Sequence, residues 1–239
     1  MTHKRILLQN KPLRVDESLI MFRSILFIFV VCFFLTTSEV TLLAQNSEDW
    51  LKKAQALDKD GFLDEAVEFW EKLATTNTNS NLVIYAYLRL GTTYLKLEQF
   101  QKSIDTVQAI VQFHPDNFDV HFHLANSLSA LRKFSEATVA YKKTTILEPR
   151  EGLGYVGLGL SFFGNSDSEK AIEALLKAKK LFKEKKNISW YRDTRVMVSQ
   201  IKQFAKFPPS FSNLWLTNNL KVVHETYEKA VFDSNKYLR

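Results

Sequence analysis

Residues 85–94 read YAYLRLGTTY, residues 119–128 read DVHFHLANSL and residues 153–162 read LGYVGLGLSF. The three stretches repeat one alternation of aromatic, small and apolar positions at a step of 34 residues. Leu90-Gly91, Leu124-Ala125 and Leu158-Gly159 fall in one column, and ahead of them stand Tyr87, His121 and Tyr155. Tyr94, Leu128 and Phe162 follow, then Ser103, Ala137 and Ala171, and one helical turn later Val107, Tyr141 and Leu175. Pro115 and Pro149 close two of the units. A looser copy begins near Ser47, with Trp50, Ala54, Gly61, Ala66 and Trp70 at equivalent places. Its offset to the next copy is 37 residues, and the surplus falls in the polar stretch Thr75 to Asn81, which suits a surface loop.

Within a unit the spacing is helical. Tyr87, Leu90, Gly91 and Tyr94 stand at i, i+3, i+4 and i+7, and Phe100, Ser103, Val107 and Ile110 continue on a second helix. Each unit therefore predicts a helix, a short turn and an antiparallel helix. Ala54, Gly91, Ala125 and Gly159 on the first helices, and Ala66, Ser103, Ala137 and Ala171 on the second, remove side chain where paired helices approach, and the aromatics fill the spaces between.

This pattern resembles the tetratricopeptide repeat family over about residues 47 to 185, on Trp50, Ala54, Ala66 and Trp70, on Tyr87, Leu90-Gly91, Tyr94 and Pro115, and on the matching positions of the next two units. The resemblance implies an all-α fold of about eight helices. Repeats near 47–80, 84–117, 118–151 and 152–185 would stack into a right-handed superhelix, so that residues 45–186 form the array. Departures are local: Lys53 stands where the family usually has Leu, His121 replaces an aromatic, and the first and fourth units lack the closing Pro.

In the family, peptide ligands lie on the concave surface made by the first helix of every unit. Carried onto this chain, that surface is Leu51, Leu88, Phe122 and Val156 in one ring and Gln55, Thr92, Asn126 and Leu160 in the next, with Tyr85, Asp119, Leu95 and Phe163 beside them. Relatives that grip a C-terminal carboxylate use Lys, Asn and Arg there. Only Asn126 fits that pattern, so the groove reads as apolar, suited to an amphipathic helix or an extended hydrophobic peptide of a protein partner. The chain's own C-terminal helix is the alternative occupant.

That helix, within 210–239, presents Leu216, Leu220, Val223, Tyr227 and Val231 at helical spacing and can pack on the array, lie on a membrane or bind a partner. Before it, residues 187–206 carry Trp190, Met197, Ile201 and Phe204 on one face and read as the cap a repeat array needs, ended by Pro208-Pro209.

The N-terminus differs in kind. Ile25 to Leu35 is an unbroken apolar run preceded by Arg23, too short for the roughly 20 residues that span a bilayer. With Ala44 ahead of a polar segment, residues 1–44 read as a secretory signal peptide, and an uncleaved membrane anchor is the alternative. Met21 offers the more ordinary start, which would make residues 1–20 a mis-called gene start. The expected location is exported, in a periplasm or cell envelope if the organism is bacterial.

Composition excludes several chemistries. The single cysteine, Cys32, lies inside the apolar run, which leaves no thiol for a disulfide framework, a zinc site or a nucleophile elsewhere. There is no phosphate loop, nucleophile elbow, paired-carboxylate motif or zinc-protease motif, so neither an enzyme, a cofactor nor a small-molecule substrate is expected. His114, Asp116, Asp119, His121 and His123 cluster, but His121 and His123 point about 200° apart on a helix and do not chelate one ion. Charge is uneven: residues 45 to 169 carry 12 Lys and Arg against 17 Asp and Glu, residues 170 to 239 carry 15 against 6. The run containing Lys177, Lys180, Lys183 and Lys186 reads first as a solvated face and second as a contact for anionic lipid or an acidic protein; nucleic acid is not expected. The function implied is a non-enzymatic interaction scaffold, and the second reading is a membrane-anchored component of an envelope complex.

Overall fold

The computed structural model describes residues 46–76, 79–204 and 206–238. The apolar run, Ala44 and Met21 lie outside the described residues, as does the leader assigned to 1–44. Among the described residues the secondary structure is helical, with no strand. The order is α1 (46–60), α2 (Leu63–Thr76), α3 (Ser80–Lys96), α4 (Phe100–Val111), α5 (Phe118–Ala130), α6 (Phe134–Leu147), α7 (Gly152–Gly164), α8 (Ser168–Glu184), α9 (Ile188–Phe204), a 3-10 turn (Pro209–Ser212) and α10 (Asn213–Asp233).

From α2 to α9 each helix packs on the next, and α3, α5 and α7 also touch in succession, as first helices of stacked units do. The small residues lie where helices close on one another. A methyl group added to Gly91 would sit 2.7 Å from the Val107 side chain, and one added to Gly159 would sit 2.8 Å from Leu175. These are the column partners that the sequence pairs.

Helix starts are capped by side chains. Asn79 accepts from the N–H groups of Asn81 and Leu82, Asn117 from Val120, Glu151 from Leu153 and Asp167 from Lys170. The turns inside units repeat as well. Gly61, Glu98, Arg132 and Ser166 all adopt left-handed backbone, at φ of 86°, 57°, 60° and 64°, at steps of 37, 34 and 34 residues. Each is followed by an N–H that reaches back to the preceding helix: Phe62 to Leu57 O, Gln99 to Tyr94 O, Lys133 to Leu128 O and Asp167 to Phe162 O, at 2.8 to 2.9 Å. Only the first of the four turns has the residue that suits such angles.

After the fourth pair, α9 packs on α8 with Trp190 stacked on Phe182 at 5.7 Å, and it buries Met197, Val198 and Ile201. The chain then reverses through Pro208-Pro209 and sends α10 back across α7 and α5.

Candidate functional site

The inner face of the array is already covered. All five residues of the α10 stripe, Leu216, Leu220, Val223, Tyr227 and Val231, are buried, together with Phe232. The helix crosses the first helices in reverse chain order. Trp215 meets Phe163 of α7 edge-on at 5.5 Å, Tyr227 lies on Phe122 of α5 at 3.9 Å, and Phe232 meets Tyr85 of α3 edge-on at 5.6 Å. The Arg89 guanidinium lies 3.9 Å from the Phe232 ring centre and 3.5 Å from Asp58 on α1, so one cation joins α1, α3 and α10.

Polar anchors fix the register. Asp119, buried in the first turn of α5, accepts hydrogen bonds from the Tyr227 and Tyr237 hydroxyls and from Lys236 Nζ at 2.8 Å. Asn117, the cap of α5, donates to the Tyr237 hydroxyl at 3.1 Å. Burial, with the Asp119 carboxylate second, pushes both tyrosine hydroxyls far above their ordinary range, so they act as donors and stay protonated. Farther along, Asn126 contacts His224 Nδ1 at 3.1 Å and accepts from the Tyr141 hydroxyl, and Lys96 pairs with Glu228 at 3.0 Å. Burial holds the imidazoles of His123 and His224 below the usual histidine range, with their rings edge-on at 5.5 Å.

Of the residues assigned to the concave face, Tyr85, Asp119, Phe122 and Asn126 converge on α10. Leu88, Val156 and Leu160 are fully buried, Thr92 is spent on His123 Nε2 at 3.0 Å between α3 and α5, and Gln55 reaches the Tyr85 hydroxyl at 3.3 Å. Leu51 is half-buried on α1. Of the two occupants the sequence allows, a partner segment and the chain's own C-terminal helix, α10 lies on these residues in the structure. Asp119 and Asn126 add polar contacts to α10 beside the apolar ones. Residues missed by the sequence reading include Arg89, Lys96 and Asn117 on the array and Trp215, His224, Glu228, Phe232, Lys236 and Tyr237 on the tail. Of these, Lys236-Tyr237 lies past the periodic stretch and leaves no pattern to detect.

The histidine cluster is dispersed into structural contacts. His121 Nε2 sits 2.8 Å from Pro115 O, His123 faces Thr92, and Asp119 serves the tail. Lys177, Lys180, Lys183 and Lys186 stand exposed on and just after α8. Part of the concave side stays unfilled, as a cleft of about 460 Å³ between α3, α5 and α10 bordered by Leu95, Phe100, Ser129, Leu220 and His224.

Comparison with known proteins agrees with the repeat geometry. Residues 85–117 match the family described as tetratricopeptide repeat. Over 140 residues, 58% of this chain, the sequence is 27% identical to Protein CTR9 homolog of Arabidopsis thaliana, of which the match spans 13%. The fold is similar to MamA from Desulfovibrio magneticus RS-1, with a TM-score of 0.56, 19% identity and coverage of 77% of this chain and 96% of that one. A second MamA crystal structure gives a TM-score of 0.54 at 24% identity, covering 59% of this chain and 81% of that one.

Proposed function

Taking the chain as a tetratricopeptide-repeat protein, we propose that it is a non-enzymatic interaction scaffold whose concave face receives an amphipathic helix of a protein partner in exchange for α10. One observation carries this: an amphipathic helix already lies in that face, held by Phe122, Tyr85 and Asp119. The groove is thus a receptor for a helix with an apolar stripe and hydroxyl or cationic donors aimed at Asp119. The cleft beside α10 gives an entering helix a first foothold on Leu95 and Phe100.

The chain is also proposed to act after export, which the run Ile25 to Leu35 and Ala44 support; N-terminal sequencing of the mature protein checks this. The test of the groove is in-cell photocrosslinking from a probe at Leu95, in the unaltered chain and in Tyr227→Ala. A foreign helical segment captured more strongly by Tyr227→Ala supports exchange. Capture of residues 213–238 alone, in both proteins, rejects it.

A further inference from the structure

The reversal between α9 and α10 carries the densest exposed aromatic surface among the described residues. Phe207 is 51% exposed, Phe211 64% and Leu214 74%. Phe207 and Phe211 stack on each other at 4.9 Å, and Phe204 meets Phe211 at 5.9 Å, so the rings form one patch that the array does not cover. Exposed apolar groups this close together mark an interaction surface rather than chance exposure.

Along this stretch of the chain the charges have one sign. From Thr194 to His224 there is no Asp or Glu, and the charged residues are Arg195, Lys202, Lys206 and Lys221. Lys202 and Lys206 are exposed, and neither pairs with a carboxylate among the described residues. The hollow beneath the rings holds only about 160 Å³ and is bordered by Arg132 as well as Phe163, Phe204 and Leu216. That is below the several hundred Å³ of a ligand pocket, so the feature offers a surface and not a cavity.

We propose that this junction docks on an anionic lipid surface, with Phe207, Phe211 and Leu214 entering the interfacial layer and Lys202 and Lys206 meeting the phosphates. Aromatic rings beside unpaired lysines are what that layer selects. The rings gain by leaving water without crossing the bilayer, and the long lysine stems lie along apolar material while their ammonium groups stay at headgroup level. Leu214 is the second residue of α10, so the attachment adjoins the helix that covers the concave face. No described helix is long and apolar enough to cross a membrane.

The test uses the full chain with Cys32→Ser, carrying an environment-sensitive dye at Phe211→Cys or, as a control, at Phe113→Cys, itself 76% exposed on another part of the array. Vesicles are phosphatidylcholine alone or with about one-third phosphatidylglycerol. The expected result is a blue shift at 211 on the anionic vesicles only, no shift at 113, and a partition lowered about thirtyfold by Lys202→Gln with Lys206→Gln. An equal shift at both positions would place attachment elsewhere, for example at the N-terminal apolar run. That result overturns the proposal, as does silence at 211, a response untouched by the lysine changes, or a shift that needs an added protein instead of lipid.

Discussion

The phenol ring of Tyr227 lies on the ring of Phe122, with centroids 3.9 Å apart and planes 28° apart, while its hydroxyl donates to Asp119 one turn away on the same helix. One side chain of α10 thus meets both the apolar and the polar part of the concave face. Tyr227→Phe keeps the stack and loses the hydrogen bond, and it should cost about 1 to 2 kcal/mol. Tyr227→Ala loses both and should cost about 3 to 5 kcal/mol. Hydrogen exchange locates the effect: Tyr227→Ala should lose amide protection across α10 while α3 to α6 keep theirs. Uniform loss through the array would show that α10 is integral to one folding unit and is not a separable occupant.

Asp119 serves three donors from the tail, and its worth is best measured as coupling. Asp119→Ala alone leaves the buried Tyr227 hydroxyl without its acceptor, while Lys236 keeps water and Tyr237 keeps Asn117, so its cost exceeds that of the Tyr227 bond itself. In a double-mutant cycle with Tyr237→Phe, the coupling energy should be about 1 to 2 kcal/mol. Asp105, exposed on α4, serves as the uncoupled control. A coupling near zero would mean that the tail is held by its apolar stripe alone.

The fold was legible in the sequence because close helix packing demands small residues at fixed places. A Cβ added at Gly91 or Gly159 would press on Val107 or Leu175, so the 34-residue step survives wherever the packing does. The α10 stripe was legible by the same periodicity. What it packs against was not: an apolar stripe from Leu216 to Val231 looks the same whether it meets the array, a partner or a bilayer. Phe122 illustrates the ambiguity from the other side, since an inner-face aromatic is required both by an open groove and by one closed with Tyr227. The deciding groups, Lys236 and Tyr237, sit beyond the last turn of α10, where periodicity carries no information.

The repeated left-handed turns predict gains in stability. Glu98 and Ser166 hold the backbone angles that Gly61 holds in the first unit, and a residue with a Cβ pays roughly 1 to 2 kcal/mol for them. Glycine removes that strain but gives back part of the gain through the freer unfolded chain. Glu98→Gly and Ser166→Gly should each add about 0.5 to 1 kcal/mol, and the two should sum because the turns lie in different units. Denaturant titration reads this directly: an unchanged or lowered midpoint contradicts it.

Acid should loosen the array through the histidines at the α5–α10 contact. His123 is fully buried beside Thr92 and His224, and burial first, then the charges of His224, Arg89 and Lys96, hold its imidazole well below the ordinary 6.5. His224 is lowered by burial and by Lys96, partly offset by Glu228 and Glu225. A group whose folded value is depressed binds fewer protons in the native state than in the unfolded one. Stability is therefore complete above 6.5 and falls as the pH drops from there toward the folded values. Asp58 and Glu148 act in the opposite sense, because burial raises them from 3.8 and 4.5, and their contribution is complete only below those values and is lost as the pH rises through the folded ones. The histidines govern the window just below 6.5. The melting temperature should decline from about pH 7 to about pH 5.5, and His224→Gln, which keeps a polar partner for Asn126, should flatten that decline. NMR of the imidazole ring should show His123 still neutral at pH values where an ordinary histidine is protonated; a ring that titrates near 6.5 would remove the cause.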